Sequence, residues 1–204
     1  MNWKVFFFLN SVICIAIACN NGDILKPEKI DTYLSETSEE RTMKVNFQDS
    51  CIYSLVYIPT EVAFLKAHNG KTSKTELDSL QKHRNDYVNF QFRIEPTENF
   101  HFQANHSFEN SLTSDEKRSK YIVEEMKNDF FIIAGKDTIK PVFYHYEKQF
   151  GLKNEILIHL SFPGNFKKFD SSTLYFINRL INKTEIAGIL IDKETINKPL
   201  NIEL

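Results

Sequence analysis

Residues 87 to 95 show the pattern that governs most of the chain: Val88, Phe90, Phe92 and Ile94 alternate with Asn89, Gln91 and Arg93. A period of two is expected of a strand with one face on a core and the other in water. The same alternation, with valine, isoleucine, tyrosine and phenylalanine supplying strand preference, predicts further strands. They fall near residues 43–48, 51–58, 61–67, 100–104, 129–134, 138–147, 155–162, 172–179, 185–191 and 199–204. Turn chemistry separates them at Pro59-Thr60, Gly135-Lys136-Asp137, Gly151-Leu152-Lys153-Asn154, Pro163-Gly164-Asn165, Asn182-Lys183 and Asn197-Lys198. Ile156, Ile158, Leu160 and Phe162 mark one inner face, whereas both faces of segment 138–147 are apolar, which predicts a central strand there.

Two stretches change to helical spacing. Ser73-Lys74-Thr75-Glu76 has the form of a capping box, and Leu77 and Leu80 follow before the turn-like Asn85-Asp86. This predicts a short, mostly exposed helix. Thr113-Ser114-Asp115-Glu116 repeats the device, and Tyr121, Ile122 and Met126, with Val123 beside them, then form a stripe on a helix that should pack on the sheet, with Lys117, Lys120, Glu124 and Lys127 largely outside. Short strands at regular spacing with two short helices predict a mainly β fold, an antiparallel β-sandwich over residues 43–204. One domain is expected; a weak boundary at 104–114 is where two small subdomains would part.

The first nineteen residues follow neither period. Lys4 precedes an apolar run from Val5 to Ile17 broken only by Asn10 and Ser11, and small residues frame the end of it at Ala16-Ile17-Ala18-Cys19. A run too short for a stable bilayer span, ending in small residues, reads as a secretory signal peptide over residues 1–18. Over residues 1–19 the chain resembles the bacterial lipoproteins, whose signal peptides end in a lipobox ahead of a lipidated cysteine. Ala18 and Cys19 match that pattern, and Ala16 stands where the family more often has leucine. The resemblance implies cleavage before Cys19, a diacylglyceryl group on its thiol and a fatty acyl chain such as palmitate on its new amino group. Two or three chains at ~0.8 kcal/mol per buried methylene hold a protein at a membrane lastingly. Ala16-Ile17-Ala18 is also an A-x-A site for an ordinary signal peptidase, which would release a soluble protein.

Residues 20–42 are polar and lack a sustained apolar period, as Ser35-Glu36-Thr37-Ser38-Glu39-Glu40-Arg41 shows. They read, with Cys19, as a flexible tether over 19–42. The alternative is a strap docked on the domain through Ile24, Leu25, Ile30, Tyr33 and Leu34.

Composition narrows the function classes. The formal net charge is −2, and loss of Lys4 with the leader makes it one unit more negative. Such a near-neutral surface, on an exported chain, argues against nucleic acid as a partner. Beyond the leader no apolar run approaches the ~18 residues of a spanning helix. With Cys14 in the leader and Cys19 lipidated, Cys51 is the last thiol, so stability must rest on an apolar core rather than an internal disulfide. The soluble route would leave a Cys19 to Cys51 bridge open. Cys51, within Asp49-Ser50-Cys51-Ile52-Tyr53, reads as a packing residue.

The chemistry-bearing residues form no recognised motif. Among His68, His83, His101, His106, His145 and His159 there is no H-E-x-x-H, and the cysteines have no C-x-x-C spacing. His101 and His106, with Glu109 beyond, come nearest to a ligand set, but five residues apart on a strand they face opposite sides. No metal, cofactor or catalytic residue is assigned. There is no G-x-S-x-G and no S-x-x-K set completed by S-D-N, and Glu39-Glu40 and Glu124-Glu125 diverge as adjacent residues do. Strand tyrosines remain: Tyr87, Tyr144, Tyr146 and Tyr175 could present rings to a sugar or a protein, against core packing as the alternative. Tyr144, His145 and Tyr146 are the candidate ligand-binding residues. The expectation is a membrane-anchored lipoprotein of the bacterial envelope, at the periplasmic face or the cell surface. It acts without catalysis as a binding or accessory subunit for an envelope protein partner. The alternatives are a surface glycan hydrolase and a toxin-neutralising immunity lipoprotein.

Overall fold

The alternation read from residues 87 to 95 survives intact in three dimensions: Val88, Phe90, Phe92 and Ile94 are buried to within 1 % of full enclosure, and the residues between them are part-exposed. The structure, a computed structural model, describes residues 24–26, 29–46, 51–83, 85–97, 119–148, 155–180, 185–198 and 200–202. In chain order the elements are β1 (Ile24–Leu25), α1 (Ile30–Glu36), β2 (Thr42–Asn46), β3 (Cys51–Ile58), α2 (Thr60–Ala67), α3 (Lys74–His83) and β4 (Tyr87–Pro96). There follow β5 (Phe130–Ala134), β6 (Asp137–Ile139), β7 (Phe143–Glu147), β8 (Ile156–Pro163), β9 (Ser172–Asn178), β10 (Glu185–Leu190), α4 (Lys193–Asn197) and β11 (Asn201–Ile202).

Two antiparallel sheets face each other, one ordered β2-β3-β4-β8-β7 and the other β10-β9-β5-β6. This is the mainly β, sandwich-like architecture the alternation implies. Phe92 packs against Phe130 and Phe176 of the opposite sheet with ring centroids 5.0 and 5.2 Å apart, and Tyr53 reaches Phe176 at 6.0 Å. One polar contact crosses the same gap: Asn178 Nδ2 donates to Tyr53 Oη at 2.7 Å, while Asn178 Oδ1 accepts from Leu180 N at 2.8 Å. Cys51, fully buried, belongs to this core as a packing residue.

The capping box forms as its sequence dictates. Ser73 N and Oγ both donate to Glu76 Oε2 at 2.8 Å, and Glu76 N donates back to Ser73 Oγ at 3.3 Å. The second box and the strand expected at 100–104 lie outside the described residues. The stripe beyond that box packs except at Val123, which is exposed: Tyr121, Ile122 and Met126 are buried in a π turn (Tyr121–Glu125) and a 3₁₀ turn (Met126–Asp129) laid against the strands. Arg179 Nε and the Tyr121 hydroxyl both donate to the buried Asp129 carboxylate, at 3.0 and 2.6 Å, pinning this segment to the end of β9.

Three expectations are corrected. Residues 61–67 are helix α2, not a strand: Val62 and Leu65, three apart, are the buried pair, while Phe64 stacks on His68 at 4.1 Å across one helical turn. Asn69, at φ 51°, ends α2 in a Schellman closure, with Gly70 N donating to Leu65 O at 2.7 Å and Asn69 N to Lys66 O at 3.2 Å. Segment 138–147 is not one central strand. Pro141 has no N–H to give a ladder, and the chain crosses there from β6, an edge of one sheet, to β7, an edge of the other. Finally, the antiparallel run does not continue to the end. Asp192 caps α4, accepting from Glu194 N at 3.2 Å and Thr195 N at 3.1 Å, and β11 pairs parallel with β1. The expected Asn197-Lys198 turn is the end of that helix.

Within the stretch read as a tether, residues 29–41 sit on the domain, as the strap alternative describes. Ile30 is buried with Val62, Leu65 and Leu200, and Tyr33 and Leu34 pack beside them. The tether reading then concerns the residues ahead of Ile24.

Candidate functional site

The candidate residues Tyr144, His145 and Tyr146 do not converge. They lie on β7, where the pleat turns Tyr144 and Tyr146 toward the core and His145 outward. The Tyr144 hydroxyl donates to Ile122 O, and burial first, then the neighbouring Tyr146, raises its pKa above the usual phenol range. Its role is packing the 121–129 segment onto the sheet. His145 shares the outer face with Phe143 and with His159 of β8, the two imidazole rings 6.2 Å apart, and His159 Nε2 meets Glu147 Oε2 at 2.7 Å. Among the described residues no group of three or more histidine, cysteine or acidic side chains is arranged to hold a metal. His101 and His106 lie outside those residues.

A broader surface lies on the other sheet. Across β10, β9 and β5 the register sets Gly188 beside Tyr175 and Tyr175 beside Phe131, and the row above sets Leu190, Thr173 and Ile133 in line. Ile186 pairs with Ile177 in the row below. Ile186, Leu190 and Ile133 are 58, 64 and 39 % exposed, so the outward face of this sheet is apolar. Tyr175 and Phe131 stack with centroids 5.5 Å apart and planes 16° from parallel. Lys140 Nζ lies 5.0 Å from the Phe131 centroid. On the Tyr175 side, a Cβ at Gly188 would stand 3.1 Å from the ring, so the bare β10 backbone flanks it. Both rings are part-exposed among these neighbours. Of these residues the sequence reading singled out only Tyr175. The signal for the rest was present: Phe130-Phe131-Ile132-Ile133 and Ile189-Leu190-Ile191 are apolar at both parities, more than a strand with one wet face requires.

A cleft of about 460 Å³ opens between the strap and the C-terminal helix. Tyr33, Thr37, Glu40 and Arg41 form one wall, Asp192, Glu194, Thr195 and Lys198 the other, and Tyr57 and Pro59 the floor. Lys198 Nζ bridges the walls to Glu40 Oε2 at 3.1 Å. The hydrogen bond from the Thr195 hydroxyl, joined by the backbone N–H groups of Thr195 and Glu194, holds the Asp192 carboxyl below the usual carboxylate range against the opposing effect of burial. Comparison with protein-family models gives no match, and neither does comparison with curated proteins or with solved structures.

Proposed function

We propose that this protein is a lipid-anchored, non-catalytic binding subunit of a bacterial cell envelope. Cys19 is its membrane attachment, and the outward face of β10, β9 and β5 is its docking surface for an envelope protein. The observation that carries the binding role is the exposure of Ile186, Leu190 and Ile133 on one continuous sheet face. Isolated exposed aliphatics are ordinary, but a contiguous apolar face is a poor surface to leave in water and a good one to bury against a partner. The well-exposed apolar groups of this face are aliphatic, with Phe131 and Tyr175 only part-exposed, which favours a protein over a glycan, since a sugar ring lies on an open aromatic face. Of the three acids of the cleft, Asp192 is committed to the cap of α4 and Glu40 to Lys198, which leaves Glu194 alone rather than a free carboxylate pair and supports binding over hydrolysis. The attachment rests on Ala16-Ile17-Ala18-Cys19. From Cys19 to Ile24 is five residues, and at ~3.3–3.6 Å per residue β1 would lie no more than about 18 Å from the lipidated atom. The domain is then held close to the membrane rather than on a long leash.

The test is extraction of the full-length protein from its own membranes in mild detergent, followed by mass spectrometry of what co-purifies. A stoichiometric envelope protein is expected with the wild type and is lost from the double variant Ile186→Asp, Leu190→Asp at unchanged melting temperature. The same partner retained by the variant, or the protein recovered alone, refutes the docking surface.

A further inference from the structure

Arg41 is the charged group of the cleft that the fold has taken out of water, at 6 % exposure. Nε donates to Thr37 Oγ1 at 2.8 Å, Nη1 to Tyr57 O at 2.7 Å and Nη2 to Leu34 O at 2.8 Å. These bonds clasp α1 to the end of β3, and every acceptor is neutral. A guanidinium carries five N–H donors, so capacity is left on both Nη atoms. Among the described residues no carboxylate pairs with it: Glu40, its neighbour in sequence, is engaged by Lys198. Burial lowers the Arg41 pKa, opposed by Tyr33, Tyr57 and Glu40 nearby. A buried cation without an anion is a costly arrangement, and a ligand that brings the anion recovers part of that cost.

The rest of the cleft limits which anion fits. With Glu40 paired to Lys198, Asp192 and Glu194 leave the rim acidic, which disfavours a ligand carrying several negative charges. Glu194 is exposed, and its carboxylate has no ion pair or hydrogen bond among the described residues. The volume of about 460 Å³ is that of a small-molecule site. We propose that this cleft binds a small zwitterion, its oxyanion on the Nη atoms of Arg41 and its ammonium group against Glu194. Two sources carry that chemistry: a free metabolite, or a phosphoethanolamine headgroup in the bilayer. Leu200, in the cleft wall, directly precedes β11, which pairs with β1. The headgroup source therefore rests on the lipid-anchored reading, whereas the zwitterion site itself does not.

The experiment titrates the full-length protein in mild detergent with phosphoethanolamine, glycine, inorganic phosphate and ethanolamine, following the backbone amides of Glu194 and Thr195 and the Arg41 side chain by NMR. Saturable binding of at least one zwitterion is expected, about tenfold tighter than phosphate or ethanolamine alone. Glu194→Gln, a surface change outside the hydrogen-bonded framework, is expected to erase that preference while leaving phosphate binding. Arg41→Lys, checked for an unchanged fold by circular dichroism, is expected to weaken binding of every anion. No saturable binding by phosphoethanolamine or glycine, or zwitterion binding indifferent to Glu194→Gln, overturns the proposal. Reconstitution into vesicles of phosphatidylethanolamine against vesicles of an uncharged glycolipid separates the sources. Competition with free phosphoethanolamine only in the former identifies the headgroup, and equal affinity in both identifies a free ligand.

Discussion

Tyr53 and Asn178 show what one buried polar pair does in an otherwise apolar sandwich. Both side chains are fully enclosed, and their hydrogen bond at 2.7 Å ties β3 of one sheet to β9 of the other. Tyr53→Phe keeps the ring and strands Asn178 Nδ2 without that acceptor. A loss of about 1–3 kcal/mol in urea denaturation is expected, the cost of a buried donor left unmet. No measurable loss would mean that Asn178 finds another acceptor. A second residue-scale effect concerns pH. Burial raises the pKa of Tyr121 and of Tyr144 above the usual phenol range, and Tyr121 is raised further by its bond to Asp129 and by that carboxylate's charge. A phenol whose folded pKa is raised contributes stability that is whole below its unfolded value of about 10 and is lost as pH climbs above it. The denaturation midpoint is therefore expected to fall as pH rises past about 10, with both rings protonated until the domain unfolds. A phenolate absorbance titration run beside circular dichroism checks this, and Tyr121→Phe should flatten the alkaline dependence.

At the scale of elements, short-range rules worked and long-range ones did not. The Ser73 box was legible because everything it needs lies within four residues, and the β4 alternation because one face is wet and one dry. Helix α2 was not legible, since Val62 and Phe64 have strand composition and only the packing of Val62 and Leu65 with Ile30 and Leu200 selects the helical period. Segment 138–147 misled for a related reason. Apolar residues on both parities suggested a central strand, whereas Pro141 divides two edge strands and leaves Val142 and Phe143 60 and 51 % exposed. Close contact at the turn after β8 yields the element-scale prediction. A Cβ on Gly164 would stand 1.8 Å from Asn85 O, a backbone atom held in place by the Gly164 N to Asp86 O bond at 2.8 Å. Gly164→Ala is expected to cost about 3 kcal/mol or more, near the upper end for overpacking. Wild-type stability in thermal and urea unfolding would show that this turn can move.

At the scale of the whole molecule, the proposed attachment and the proposed docking face can be tested separately. If Cys19 carries the lipid, Cys19→Ser should move the protein from the membrane pellet to the soluble fraction without changing its melting temperature. Fractionation that stays unchanged would remove the anchor and leave the sheet face unaffected. The candidate site was legible only in fragments. Tyr144, His145 and Tyr146 are adjacent in sequence, and adjacency on a strand places neighbours on opposite faces, so they serve two different surfaces. The row Gly188, Tyr175, Phe131 draws on three strands, and the cleft joins residues 33–41 to 192–200. No local window contains either.

The chain by itself determined what depends on local periodicity and local chemistry: the strand alternation of the sandwich, the box that starts α3, the buried stripe of Tyr121, Ile122 and Met126, and the lipobox-like ending at Cys19. Tertiary structure alone decided what depends on which distant segments meet. It set the strand order of the two sheets, made residues 29–41 a docked strap, and enclosed Arg41 between α1 and β3. It also left the face carrying Ile186 and Leu190 in water. The reason is physical: a side chain's preference for burial is written in its composition, but which face receives a cover depends on register and topology, and these are properties of the assembled sheets.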